Sequence, residues 1–126
     1  MRSAKGFTLT EVVIVMAIIA VLVSMAIPSY QQHVVRTSRA AAQQFLMHVA
    51  NRQEQFFLDN RGYAAGLAAL NLTVPDEVND SYAVSVATVA GPPPGFTLTA
   101  APRAGTAQAG DGDLTLAADG TRTGKW

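Results

Sequence analysis

The sequence predicts an α+β fold in which one long N-terminal helix lies on an antiparallel sheet of three or four strands. Three observations predict it. Residues 12–27 form an almost unbroken apolar run. Beyond Pro28, a stretch free of Gly and Pro spaces its apolar residues three and four apart, as a helix face does. The last third then alternates apolar and polar residues with a period of two, as half-buried strands do.

From Val12 to Ile27 Ser24 alone is polar. With Phe7–Glu11 in front and Pro28 behind, the segment is just long enough to cross a bilayer as a helix. Arg2 and Lys5 precede it and no acid lies before Glu11, a bias that predicts a cytoplasmic N-terminus with everything after Tyr30 outside. The helical pattern continues through Asn60. Val35, Ser38, Ala42, Phe45, Leu46, Val49 and Phe56 form a stripe, Gln53 fills one turn, and Arg36, Arg39, Gln43, Gln44, Asn51, Arg52 and Glu54 mostly take the opposite side. Phe7–Leu58 would be one helix of 52 residues, about 78 Å long at ~1.5 Å per residue. Pro28 removes the bond to Ser24 and should kink or locally melt it.

Asp59-Asn60-Arg61-Gly62 is a helix stop followed by a turn. Tyr63–Ser81 reads as loop, with apolar patches at Leu67, Leu70 and Leu72 and a break at Val74-Pro75. Strands follow. Tyr82, Val84 and Val86 share one face; Phe96, Leu98 and Ala100 share another; Leu114 and Leu116 mark a third strand. Gly91-Pro92-Pro93-Pro94-Gly95 separates the first two, and Asp119-Gly120 turns the third toward Thr121–Trp126. The Phe45–Phe56 stripe supplies the cover that the apolar sheet face needs.

Composition narrows the chemistry. At 126 residues the chain is one small domain plus its N-terminal segment. It has no cysteine, so neither a disulfide nor a thiolate metal site is available. Nine basic residues balance nine acidic ones, giving no overall pull toward nucleic acid or anionic lipid. His33 and His48 would sit about 22 Å apart along one helix, too far to share a metal. Asp111, Asp113 and Asp119 lie near glycines, but their spacing does not fit an EF-hand loop, and acids are expected in turns. No Ser-His-Asp arrangement, phosphate loop or paired carboxylate is apparent. We expect no metal, no cofactor and no enzymatic activity.

The opening GFTLTE is the most informative stretch. A carboxylate in the hydrocarbon region costs about 2.5–3.5 kcal/mol on insertion scales, so Glu11 is functional by default. Thr8-Leu9-Thr10-Glu11 also fits the capping pattern S/T-x-x-E. An ordinary secretory signal cut after Ser24-Met25-Ala26 sits awkwardly with Glu11 and Pro28, and a plain signal anchor explains neither Gly6 nor Phe7. GFTLTE followed by the apolar run resembles the class III signal of type IV prepilins and pseudopilins. The resemblance implies a leader Met1–Gly6, cleavage at Gly6–Phe7 by a prepilin peptidase, N-methylation of Phe7 by the same enzyme, an assembly role for Glu11 and a kink at Pro28. The new amine at Phe7 would pair with Glu11 of a neighbouring subunit and fix register, because every other register strands a charge.

RQEQFFLDNRGYA (Arg52–Ala64) and GDLTLAADGTRTGKW (Gly112–Trp126) are most similar to PilE-type minor pilins of type IVa systems. The implied fold is the pilin fold. Residues 1–6 would be the leader, 7–28 the membrane and filament-core helix, 29–58 its amphipathic half, 59–81 the αβ loop and 82–126 the sheet head. Implied partners are other pilin subunits, major and minor, the prepilin peptidase/methyltransferase, the pilus assembly machinery and the inner membrane. The chain would span that membrane once, then join an extracellular fibre whose twitching and adhesion belong to the whole filament. Those relatives usually staple the C-terminal region with a cysteine pair; here strand pairing and Trp126 would have to hold it. Two alternatives stay open: a type II secretion pseudopilin, and a pilus-displayed DNA receptor contacting phosphate through Arg103, Arg122 and Lys125. Against DNA, loss of Arg2 and Lys5 with the leader leaves seven basic residues against nine acidic.

Overall fold

The computed structural model describes residues 5–126; the first four residues of the expected leader, Arg2 included, lie outside the described residues. The chain divides into two units, Met1–His33 and Val34–Trp126. Helix α1, Leu9–Asn60, begins in the first and ends in the second; its 52 residues match the expected count with both ends moved by two.

In the first unit every apolar side chain from Val12 to Ile27 is exposed. A helix apolar on all sides and covered on none belongs in lipid or among neighbouring helices. Among the described residues α1 alone is long and apolar enough to cross a membrane. The helix continues through Pro28 without interruption, so the expected local melting does not occur. One absent N–H removes one bond from a ladder that long flanks on both sides maintain.

The second unit is built around the predicted stripe. Ala42, Phe45, Leu46, Val49 and Gln53 are the buried residues of α1, and Val35, Ser38 and Phe56 are half-buried. Strands β1 (Tyr82–Val89), β2 (Gly95–Pro102), β3 (Leu114–Ala117) and β4 (Arg122–Thr123) form one antiparallel sheet in the order β1-β2-β3-β4. Tyr82, Phe96, Leu98, Ala100, Leu114 and Leu116 form one buried cluster with the helix stripe. The opposite sheet face carries small hydroxyls in register: Ser85 lies opposite Thr99, Thr99 opposite Thr115, and Thr115 opposite Thr123.

The helix stop falls where DNRG places it. Arg61 takes a positive φ of 55°, and its N–H bonds to the Phe57 carbonyl at 2.7 Å. The loop reading of Tyr63–Ser81 needs correction. A 3₁₀ turn spans Leu67–Leu70 and a single-turn helix, α2, spans Asp76–Asn79 directly after Pro75. Both are too short to show a period, yet each inserts one apolar residue into the core, Leu70 and Val78. The loop is tied to α1 by Gln53. Its fully buried amide bonds both peptide groups of Ala64, donating from Nε2 to the carbonyl and accepting the N–H at Oε1, each at 2.8 Å. Tyr63 then stacks on Phe57 and meets Phe96 edge-on, both at 4.8 Å between centroids.

A second correction concerns the polar side of α1. Arg39, Gln43 and Arg52 are half-buried and reach the head. Arg52 donates to the Leu70 carbonyl (3.2 Å) and Gln43 to the Lys125 carbonyl (2.9 Å). Long side chains flanking a stripe can lie along it, with their polar ends on backbone acceptors.

Candidate functional site

Gly6 and Phe7 precede the first helical residue, and Phe7 is 90% exposed. Nothing lies within 4 Å of where a Gly6 side chain would start. The candidate scissile bond is therefore non-helical backbone, the form a protease cleft can accept.

Thr8 and Glu11 close a reciprocal capping box. The Thr8 N–H and Oγ1–H both donate to Glu11 Oε2 at 2.8 Å, and the Glu11 N–H donates to Thr8 Oγ1 at 3.3 Å. Sequence spacing thus located a real cap, here built by the residue expected to serve assembly. Glu11 Oε1 takes no hydrogen bond from the described residues and stays open to a donor from outside the chain.

The three candidate DNA contacts are not brought together as free cations. Arg103 is bound at the end of α2, donating to the Asn79 carbonyl and, at 2.7 Å, to Asn79 Oδ1. Lys125 Nζ bonds Asp111 Oδ1 at 3.2 Å. Arg122 lies over the Trp126 ring, 4.8 Å from its centroid. Trp126 is fixed in turn, its Nε1–H shared between the Thr123 carbonyl (2.9 Å) and the Thr115 carbonyl (3.1 Å). As expected of the ending, strand pairing and Trp126 hold it, with Thr115 and Thr123 adding a hydroxyl contact of 2.5 Å.

Sequence reasoning missed the most connected residue of the head. Asp119 is the turn acid it was read as, accepting the Thr121 N–H at 2.9 Å. Asp111 is not: it is buried and bonded to Arg39, Lys125, Tyr82 and Gln108. The Arg39 guanidinium, more than the other donors, holds its carboxyl well below the usual carboxylate range despite burial. Burial foremost, then the bond to Asp111 and its charge, pushes the Tyr82 hydroxyl up to about 12. Only the polar spacing of Gln108 and Asp111 in an otherwise small-residue loop hinted at this.

Known proteins with similar sequences complete the picture. Residues 28–115 match a family described as type IV minor pilin ComP, DNA uptake sequence receptor, and residues 1–27 match the prokaryotic N-terminal methylation motif. The chain is 40% identical over 70 residues to the type IV wide pilus major component PilA4 of Thermus thermophilus, covering 56% of this chain and 53% of that protein. It is 32% identical over 117 residues to the fimbrial protein EcpC of Eikenella corrodens, covering 93% of this chain and 74% of the relative. A fimbrial protein of Neisseria meningitidis is 27% identical over 85 residues, 65% of this chain and 48% of its own. A methylation motif ahead of an all-apolar helix, a spine buried in a four-stranded meander and a family match across most of the head agree: the chain belongs to the type IV minor pilins.

Proposed function

We propose that the chain is a structural minor subunit of a type IV pilus, held in the inner membrane by α1 with its head outside and then built into a fibre. The observation that carries this reading is the exposed apolar helix face beginning directly after Gly6–Phe7 and the Thr8–Glu11 cap. Prepilin peptidase would remove Met1–Gly6 and methylate Phe7. The Phe7 amine would then meet the open Oε1 of Glu11 on a neighbouring subunit, other pilins and the assembly machinery being the partners. Pro28 is the proposed bend. The test is mass spectrometry of the mature protein: a chain starting at methylated Phe7 is expected, and one starting at Met1, Val12 or Ile27 refutes the reading. Glu11→Ala should leave cleavage intact and reduce incorporation into fibres; normal piliation would remove the register role.

A second reading, display of a DNA receptor, is favoured by the family match over residues 28–115. The Arg122–Trp126 pair offers a cation and a stacking face. With Arg103 and Lys125 engaged inside the chain, few phosphate contacts are available, so retention of duplex DNA should fall with log salt at a slope of only about −1 to −3. Gel-shift titration of the detergent-solubilised chain measures it. Salt-independent or absent retention, unchanged by Arg122→Ala, would leave the structural role alone.

A further inference from the structure

The segment joining β2 to β3, Arg103–Asp113, has no regular structure and reads RAGTAQAGDGD. Glycine, alanine and threonine give it almost nothing to bury. Its buried residues are Gln108 and Asp111, both polar. A loop of this kind cannot be held by the hydrophobic effect, and the chain has no cysteine to close it covalently.

The loop's first residue, Arg103, is fixed to Ser81 and Asn79, and beyond that one carboxylate gathers the contacts. Asp111 Oδ2 accepts from Arg39 Nε (2.7 Å) on α1, from Tyr82 Oη (3.0 Å) on β1 and from Gln108 Nε2 (2.8 Å) in its own loop. Asp111 Oδ1 accepts from Arg39 Nη2 and from Lys125 Nζ (3.2 Å) beyond β4. Gln108 Nε2 also approaches the Val35 carbonyl (3.2 Å) and Tyr82 Oη (2.6 Å), anchoring the loop to helix backbone. The Gln43 amide holds the Lys125 carbonyl at 2.9 Å. Helix, first strand, loop and final segment therefore meet at two oxygen atoms. The Arg39 contact is a two-pronged guanidinium–carboxylate pair, the strongest and most directional kind of charge-assisted hydrogen bond.

We propose that Asp111 is a non-covalent cross-link that keeps two segments, Arg103–Asp113 and residues 121–126, docked on α1 and β1. A buried ion pair that merely added to overall stability would protect every element alike. A cross-link protects the segments it ties. The five donor atoms belong to four residues, of which Arg39, Gln108 and Lys125 lie outside any strand ladder. Asp111 thus ties the loop and the chain beyond β4 where backbone pairing does not, and its loss opens those segments first.

Hydrogen exchange read peptide by peptide on the full chain in detergent micelles separates the two cases. In Asp111→Asn, exchange across residues 103–113 and 121–126 should speed up about tenfold or more, while β2 keeps its protection. Lys125→Gln should open residues 121–126 alone, since Lys125 ties that segment to Asp111 and its loss leaves the Arg39, Tyr82 and Gln108 bonds in place. Adding Arg39→Gln to Asp111→Asn should change these two segments little further. Exchange within twofold of wild type in both segments, or an equal rise across all four strands, overturns the cross-link. Should Asp111→Asn not fold, Lys125→Gln decides: selective opening of residues 121–126 supports the proposal, and no opening refutes it.

Discussion

Replacing Gln53 with methionine is the most informative single perturbation of the head. The side chain is fully buried, and among the described residues its amide alone pairs with the N–H and C=O of Ala64, itself 2% exposed. Methionine keeps the length and flexibility of glutamine but can neither donate nor accept well. Each orphaned backbone group then costs about 1–3 kcal/mol of desolvation without return. Burying a more apolar side chain offsets roughly 1 kcal/mol, leaving a net loss of about 1–5 kcal/mol, centred near 3. For a domain of this size that lowers the melting midpoint by roughly 12–24 °C. Thermal unfolding of the full chain in micelles, followed by far-ultraviolet circular dichroism, measures it. Gln53→Glu provides an internal control. Ionised, it still accepts the Ala64 N–H but faces the carbonyl with no donor; protonated, it donates again, so its deficit should shrink as pH falls. A Gln53→Met midpoint within 3 °C of wild type would refute the claim that this amide ties the loop to the helix.

Gly124→Ala should cost at least about 2 kcal/mol, because φ there is +94° and the new Cβ would run into the Asp113 carbonyl oxygen, a backbone atom that cannot swing away. Urea titration of the same preparation reads it. Thr8→Ala should cost the helix N-terminus about 0.5–2 kcal/mol, seen as faster amide exchange over residues 9–12 with the head unchanged. Two pH windows follow from the Asp111 cluster. The folded carboxyl is depressed below its ordinary 3.8, so its contribution is present above that value and lost as pH falls toward the folded one; Asp111→Asn should flatten this acid slope. Tyr82 is raised from 10.0 to about 12, so its contribution is full below 10 and lost as pH climbs through that interval. Tyr82→Phe should reduce the alkaline slope, leaving the share of Tyr63, also raised by burial and by Glu54.

Legibility in the sequence followed the range of the interaction. The stripe Ala42–Gln53 and the alternations in β1, β2 and β3 were readable because periodicity records which face is buried without saying by what. The Thr8–Glu11 cap was readable because its partners are three residues apart. Asp111 was not, since its main partner, Arg39, lies 72 positions away, and the nearby Gln108 is the one local feature that sets it apart from Asp113 and Asp119. The same limit affected the cations. Helical phase alone puts Arg39 and Arg52 on the side opposite the stripe, although guanidinium stems span several ångströms and find acceptors around the side of a helix. The candidate DNA residues suffered most: charge can be counted in a sequence, but whether Asn79 or Asp111 has already claimed it cannot.

The capping box at the head of α1 bears on how a subunit waits. A lone carboxylate at the lip of an apolar helix would favour leaving the membrane or pairing with the first cation it met. Thr8 supplies two donors from within the same turn, so Glu11 is provided for before any neighbour arrives. If assembly uses this carboxylate, the neighbour's amine adds a partner at the open Oε1 while Thr8 keeps Oε2, so docking completes a half-satisfied carboxylate and does not rescue an abandoned one. In a wrong register the Phe7 amine alone would then be stranded, a smaller penalty than two unpaired charges and one that lets misplaced subunits let go and try again.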